Sequence, residues 1–89
     1  MKIEEAVEKY PNLLIGKAFC MYCDNAVNLL SHEYVDYMYL SSKTHSDLVQ
    51  EVKNKYNHNT YPMIFIDKKF IGGCSELRKY LKEKGNNNN

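Results

Sequence analysis

Cys20 and Cys23 stand two residues apart, separated by Met21 and Tyr22, in the stretch GKAFCMYC. A Cys-x-x-Cys unit can ligate a metal, form a structural bridge, or cycle between dithiol and disulfide. Zinc takes four ligands, and no second Cys or His pair stands at a suitable spacing: His32, His45 and His58 fall on expected helix ends or loops. A copper carrier on a similar loop would place Met two residues before the first cysteine, where this chain has Ala18. Metal binding by one chain alone is therefore not expected. With three cysteines, Cys74 being the third, complete pairing within one chain is impossible. Redox exchange is the chemistry that two such thiols still fit. It is set against two incidental core cysteines, since a lone Cys-x-x-Cys is a weak signal and other residues must decide.

That chemistry needs one sulfur that ionises and one that waits. Cys20 falls where an apolar run, Leu13-Leu14-Ile15, gives way to a helical pattern in which Cys23, Ala26, Val27 and Leu30 recur at i, i+3, i+4 and i+7. The free amides and dipole of a helix start favour an anion there, and Lys17 adds a cation nearby. Cys23 sits one turn deeper on the apolar face, within bridging reach. The expected roles are attack by Cys20 and resolution by Cys23.

The elements around this unit follow from periodicity. Ile3, Val7 and Tyr10 predict a first helix over 2–9, ended by Pro11. A strand over 13–15 and a second helix over 21–32 follow, then a strand from Val35 to Leu40 by alternation. Thr44-His-Ser-Asp47 has the form of a capping box and opens a third helix, with Leu48, Val49, Val52 and Tyr56 inward. Met63–Ile66 and Lys69–Ile71 form a hairpin about Asp67-Lys68. Gly72-Gly73 breaks the chain, Ser75 caps a last helix through Lys84, and Gly85 stops it. The order is α-β-α-β-α-β-β-α, with a parallel strand–helix–strand unit and then an antiparallel hairpin in the same sheet. Residues 1–85 form one domain, and 86–89 are a frayed Asn tail.

Composition narrows the functional classes. A 44% apolar and 26% charged chain of 89 residues is an ordinary small globular domain. The formal net charge of +1, from 12 basic and 11 acidic residues, argues against nucleic-acid or membrane-surface binding through bulk charge. Tyr34, Tyr37 and Tyr39 accordingly read as strand and core residues, not as a base-stacking platform. Glu4, Glu5 and Glu8 occupy the place where a secretory signal has its apolar run, and no stretch approaches the roughly 20 apolar residues of a membrane span. A reducing, cytoplasmic location is expected. Abundant Asn, Lys and Tyr suit an AT-rich genome, and for a viral one the compartment is the host cytoplasm.

Two further motifs could serve the thiols. In Thr60-Tyr61-Pro62, proline leads a strand and donates nothing to its ladder. A cis bond would turn the Tyr61 backbone toward the cysteines, whereas a trans bond would make a plain turn. Gly72-Gly73-Cys74-Ser75-Glu76 puts free amides and the Ser75 hydroxyl at a helix start, either a carboxylate pocket or an ordinary N-cap.

Taken together, K-A-F-C-M-Y-C, T-Y-P-M-I-F-I and F-I-G-G-C-S-E-L resemble the glutaredoxin family over residues 10–84. The resemblance implies a thioredoxin-like α/β fold, a four-stranded mixed sheet flanked by about four helices, with a cis Pro62 and glutathione as cosubstrate. It further implies a dithiol enzyme with Cys20 as nucleophile and Cys23 as resolving thiol. Glutathione would lie among Lys17, Tyr22, Thr60, Tyr61, Pro62 and Gly73, its γ-glutamyl carboxylate on Cys74 and Ser75. Implied partners are glutathionylated or disulfide-containing proteins, ribonucleotide reductase among the candidates, and the chain would act as a monomer. Two positions depart from the pattern. Met21 replaces the frequent proline, which keeps alive a dimeric iron–sulfur carrier ligated by Cys20 and glutathione. Asn59 stands where a basic residue is common, leaving the glycine carboxylate more dependent on Lys17. A thioredoxin-like electron donor is a further alternative, disfavoured by Lys17, Ser75 and the Gly-Gly pair.

Overall fold

The computed structural model describes residues 1–86. Four helices, α1 (Ile3–Lys9), α2 (Met21–His32), α3 (Ser46–Tyr56) and α4 (Cys74–Asn86), alternate with strands β1 (Leu13–Gly16), β2 (Met38–Ser41), β3 (Met63–Ile66) and β4 (Lys69–Gly72). The sheet order is β2-β1-β3-β4. β1 pairs in parallel with β2 and antiparallel with β3, and β3 pairs antiparallel with β4. This is the mixed sheet and the element order expected from the sequence.

Leu-Leu-Ile-Gly and Met-Ile-Phe-Ile are apolar without alternation because β1 and β3 occupy the centre of the sheet and are buried at every position. Alternate residues feed two separate cores. Leu13, Ile15, Met63 and Phe65 pack with Ile3, Ala6 and Val7 of α1 and Leu48, Val49 and Val52 of α3. Leu14, Ile64 and Ile66 pack with Ala26 and Leu30 of α2 and Cys74 and Leu77 of α4. The second core therefore holds, from below, the two helices whose first turns carry the cysteine and glycine motifs.

Several expected boundaries move. β2 begins at Met38, so Val35, Asp36 and Tyr37 are not strand. The Val35 amide instead donates to Leu30 O at 2.9 Å, closing the end of α2, and Val35 and Tyr37 pack on the second core from the loop. Thr44 does not cap α3, whose N-cap is His45; its hydroxyl donates back to Ser41 O at 3.3 Å. Ser75 is likewise inside α4, which starts at Cys74 with Gly73 before it. α4 runs on through Gly85 to Asn86, so that glycine does not stop it. The remaining Asn tail, 87–89, lies outside the described residues. The Asp67-Lys68 turn is as expected, with φ of 52° and 70° at its two residues, the handedness that joins antiparallel strands tightly.

Candidate active site

Cys20 is the residue on which the chain turns from loop into helix. It has extended φ and ψ of −119° and 107°, and its sulfur accepts the Cys23 amide at 3.2 Å, so the thiol itself caps α2. Ser, Thr or Asp usually fill such a position; here a sulfur takes the backbone donor. The residue before it, Phe19, has φ of 56° and is fully exposed. That backbone region is uncommon for a bulky side chain.

The two thiols differ in surroundings. Cys20 is 8% exposed and Cys23 1%, and both are free thiols. Burial, with the bond to Cys20 second, pushes the Cys23 thiol up from 9.0 to about 12. Cys23 therefore stays protonated across the neutral range while facing the Cys20 sulfur. Phe19, Met21 and Tyr22 are strongly exposed around them, an apolar rim beside the two thiols.

Opposite α2 stands the loop that leads into β3. The Tyr61–Pro62 bond is cis, and Cys20 Sγ lies 4.0 Å from Tyr61 O, to which the thiol can donate. A cleft of about 330 Å³ opens beside the thiols, lined by Tyr22, His58, Thr60, Tyr61, Gly73, Cys74, Ser75 and Glu76. Of the residues singled out from sequence, Tyr22, Thr60, Tyr61, Gly73, Cys74 and Ser75 thus share one cavity wall. Pro62 is buried next to it. Lys17 is not in that wall, but its ammonium lies 5.2 Å from the centre of the Tyr61 ring.

Two lining residues escaped the sequence reading. Glu76 accepts the Gly73 amide at 2.7 Å and the Ser75 hydroxyl at 2.8 Å. These bonds, the Gly73 amide first, hold its carboxyl below the usual range. The spacing of Gly73 and Glu76, N-cap to third helical residue, was the available signal. The Ser75 hydroxyl is consequently turned toward Glu76 rather than left open. His58 packs edge-on to Phe70, and its Nε2 is 3.3 Å from Pro62 O and 3.4 Å from Thr60 Oγ1. No local pattern marks it, because its place depends on the loop path. Among the described residues there is no group of three or more His, Cys, Asp or Glu placed to hold a metal ion, and no helix long and apolar enough to cross a membrane.

A parallel strand–helix–strand unit with an antiparallel hairpin, a dithiol at a helix start and a cis proline facing it define a thioredoxin-like thiol–disulfide oxidoreductase. The glutaredoxin family model matches residues 12–71, and the chain belongs to the glutaredoxin family. It is 30% identical over 79 residues to glutaredoxin-1 of Rhizophagus irregularis, covering 85% of this chain and 78% of that protein. It is 36% identical over 61 residues to glutaredoxin 3 of Escherichia coli strain K12, covering 68% of this chain and 74% of that one. Among solved structures it resembles the dithiolic glutaredoxin 2-C-Grx1 of Trypanosoma brucei brucei, with TM-score 0.79, 30% identity, and 92% and 88% of the two chains covered. The buckwheat glutaredoxin–glutathione complex shares the fold, with TM-score 0.82 at 23% identity over 91% of this chain and 76% of that one.

Proposed function

We propose that this chain is a glutathione-dependent thiol–disulfide oxidoreductase that reduces glutathione mixed disulfides and protein disulfides through Cys20 and Cys23. The observation that carries the reading is the unequal pair: one sulfur at a helix start receiving an amide, the other buried and held protonated beside it. Cys20 attacks the glutathionyl sulfur of a mixed disulfide, and the target leaves as a thiol. The Cys20 adduct is then cleared by a second glutathione, or by Cys23 closing an internal disulfide.

The cleft beside Tyr61 and the first turn of α4 supports the glutathione part of this reading. The amides of Cys74 and Ser75, at the first turn of α4, offer donors to the γ-glutamyl carboxylate. The Glu76 carboxylate, fixed by Gly73 and Ser75, offers a counter-charge to the neighbouring ammonium. The Tyr61 backbone faces the cysteinyl unit beside Cys20. Lys17, beside the Tyr61 ring, is the basic side chain for the other end, a role that Asn59 does not fill; His58 lies against Gly73 at the γ-glutamyl end. We take the enzyme to act as a monomer in the cytoplasm.

Turnover of a glutathione mixed disulfide, coupled to glutathione reductase, tests this reading. The expected result is a rate that saturates with the mixed disulfide and requires free glutathione. Reduction that proceeds equally well with a flavoenzyme and no glutathione would contradict it. Anaerobic reconstitution with iron and sulfide tests the two-chain cluster alternative in the same preparation; a colourless monomer rules that alternative out.

A further inference from the structure

Gly16 and Tyr39 meet beside the dithiol in a way that the reaction above does not use. In the β1–β2 register, Tyr39 lies opposite Leu14 and Ser41 opposite Gly16. Tyr39 is therefore on the face of Leu14 and Gly16, the face that packs on α2, and diagonal to Gly16. Its ring leans over the glycine. A Cβ at Gly16 would come 2.6 Å from the Tyr39 hydroxyl oxygen, 2.9 Å from Cζ and 3.0 Å from Cε2. Gly16 is fully buried and ordinary in its backbone angles, so the missing side chain makes room for the tyrosine and serves no unusual φ.

The covered peptide leads directly to the resolving sulfur. Gly16 is followed by Lys17, whose backbone acts on the Cys23 thiol and counters part of its upward shift. The phenol is also within electrostatic reach of both thiols. Burial first, then Cys23, then Cys20 push its pKa above the ordinary value.

We propose that Tyr39 is a positioning residue for Cys23: its ring, seated in the Gly16 notch, holds the Gly16–Lys17 backbone that sets the resolving sulfur against Cys20. The proposal rests on the reading of Cys23 as the resolving thiol. In the step concerned, Cys23 gives up its proton and its sulfur bonds to Cys20 Sγ. The bond from Cys20 to the glutathionyl sulfur breaks, and glutathione leaves with the electron pair and takes up a proton. No outside oxidant or reductant is involved. Such an exchange depends on the in-line approach of three sulfurs, and small displacements of the attacking one slow it steeply.

The test follows this step alone. The reduced full chain, with Cys74 changed to Ser in every sample, is mixed with glutathione disulfide in a quench-flow instrument. After alkylation, the Cys20 adduct and the Cys20–Cys23 disulfide are resolved by mass. Tyr39→Ala should slow conversion of adduct to internal disulfide about ten- to a hundredfold, while slowing adduct formation far less. Tyr39→Phe, which keeps the ring over Gly16, should recover most of the rate. Gly16→Ala should also slow conversion, and combining it with Tyr39→Ala should recover rate relative to Gly16→Ala alone. Conversion in Tyr39→Ala at the parent rate, or adduct formation slowed as much as conversion, overturns the proposal while leaving Cys23 as resolver. An adduct that decays equally fast in Cys23→Ser overturns both this proposal and the reading beneath it.

Discussion

The two faces of the sheet are equally apolar yet do different work. On one, α1 and α3 close over Leu13, Ile15, Met63 and Phe65, with the rings of Tyr56, Phe65 and Phe70 clustered at the edge. No thiol lies in that core. On the other, α2 and α4 present their first turns on the same side as the cis Tyr61–Pro62 bond, so Cys20 and the Gly73–Glu76 turn flank one cleft. One face anchors the sheet. The other uses the sheet to aim two helix starts, where unpaired amides concentrate, at one place.

That division predicts that activity and stability can be broken separately. The largest effect on the active face is Cys20→Ser, which should bring thiol exchange to background in a chain whose unfolding curve is little changed. On the anchoring face, Phe65→Ala should remove about 3–5 kcal/mol, a large share of the 5–15 kcal/mol typical of a domain. Urea unfolding reads the loss directly, and the fraction that remains folded should keep its turnover per site. Loss of turnover without loss of stability in Phe65→Ala would erase the distinction between the faces.

The pH behaviour of the buried thiol sharpens the comparison next. In Cys20→Ser with Cys74 also replaced, burial, the main cause, still acts on Cys23. Its alkylation should be slow at pH 7–9, climbing about tenfold per pH unit with the small thiolate fraction, and should show no midpoint near the ordinary 9.0. Because its folded value is raised, Cys23 favours the folded state fully below pH 9.0 and loses that contribution as pH rises toward 12. An alkylation midpoint near 9 would show the sulfur to be wetter than its 1% exposure implies.

The smallest effect is expected at Glu76. Its carboxyl is held below the ordinary 4.5, so it stabilises the start of α4 above that pH, and the contribution fades as pH falls further. Glu76→Gln should flatten the acid limb of the melting-temperature profile and raise the Michaelis constant for glutathione substrates more than it lowers turnover. An unchanged Michaelis constant would take Glu76 out of the binding cleft.

How much of this was legible in the sequence divides along physical lines. α2 emerged with its bounds, Met21–His32, because Cys23, Ala26, Val27 and Leu30 form an unbroken apolar stripe after a loop. The two central strands declared themselves by unalternating apolar runs. The alternation at Val35–Leu40 misled because Val35 and Tyr37 are half-buried from a loop that closes α2, and side-chain pattern alone does not separate that from a strand. Thr44 misled because its hydroxyl had a competing acceptor, Ser41 O, one turn back. Cys20, Cys23 and most of the cleft wall were found because helix-start chemistry is local. His58 and the Tyr39–Gly16 contact were not, since both depend on how separate segments are laid side by side.

The central claim is the unequal division of labour between two cysteines, and one paired measurement tests it most directly. Cys20→Ser and Cys23→Ser are each assayed on a glutathione mixed disulfide and on an intramolecular protein disulfide, with free glutathione present. Free glutathione can resolve a Cys20 adduct, but only Cys23 stands at high effective concentration beside a tethered protein. Cys23→Ser should therefore keep most activity on the first substrate and lose much of it on the second, while Cys20→Ser loses both. Activity retained by Cys20→Ser and lost by Cys23→Ser would contradict the account, because the buried sulfur would then be the one that attacks.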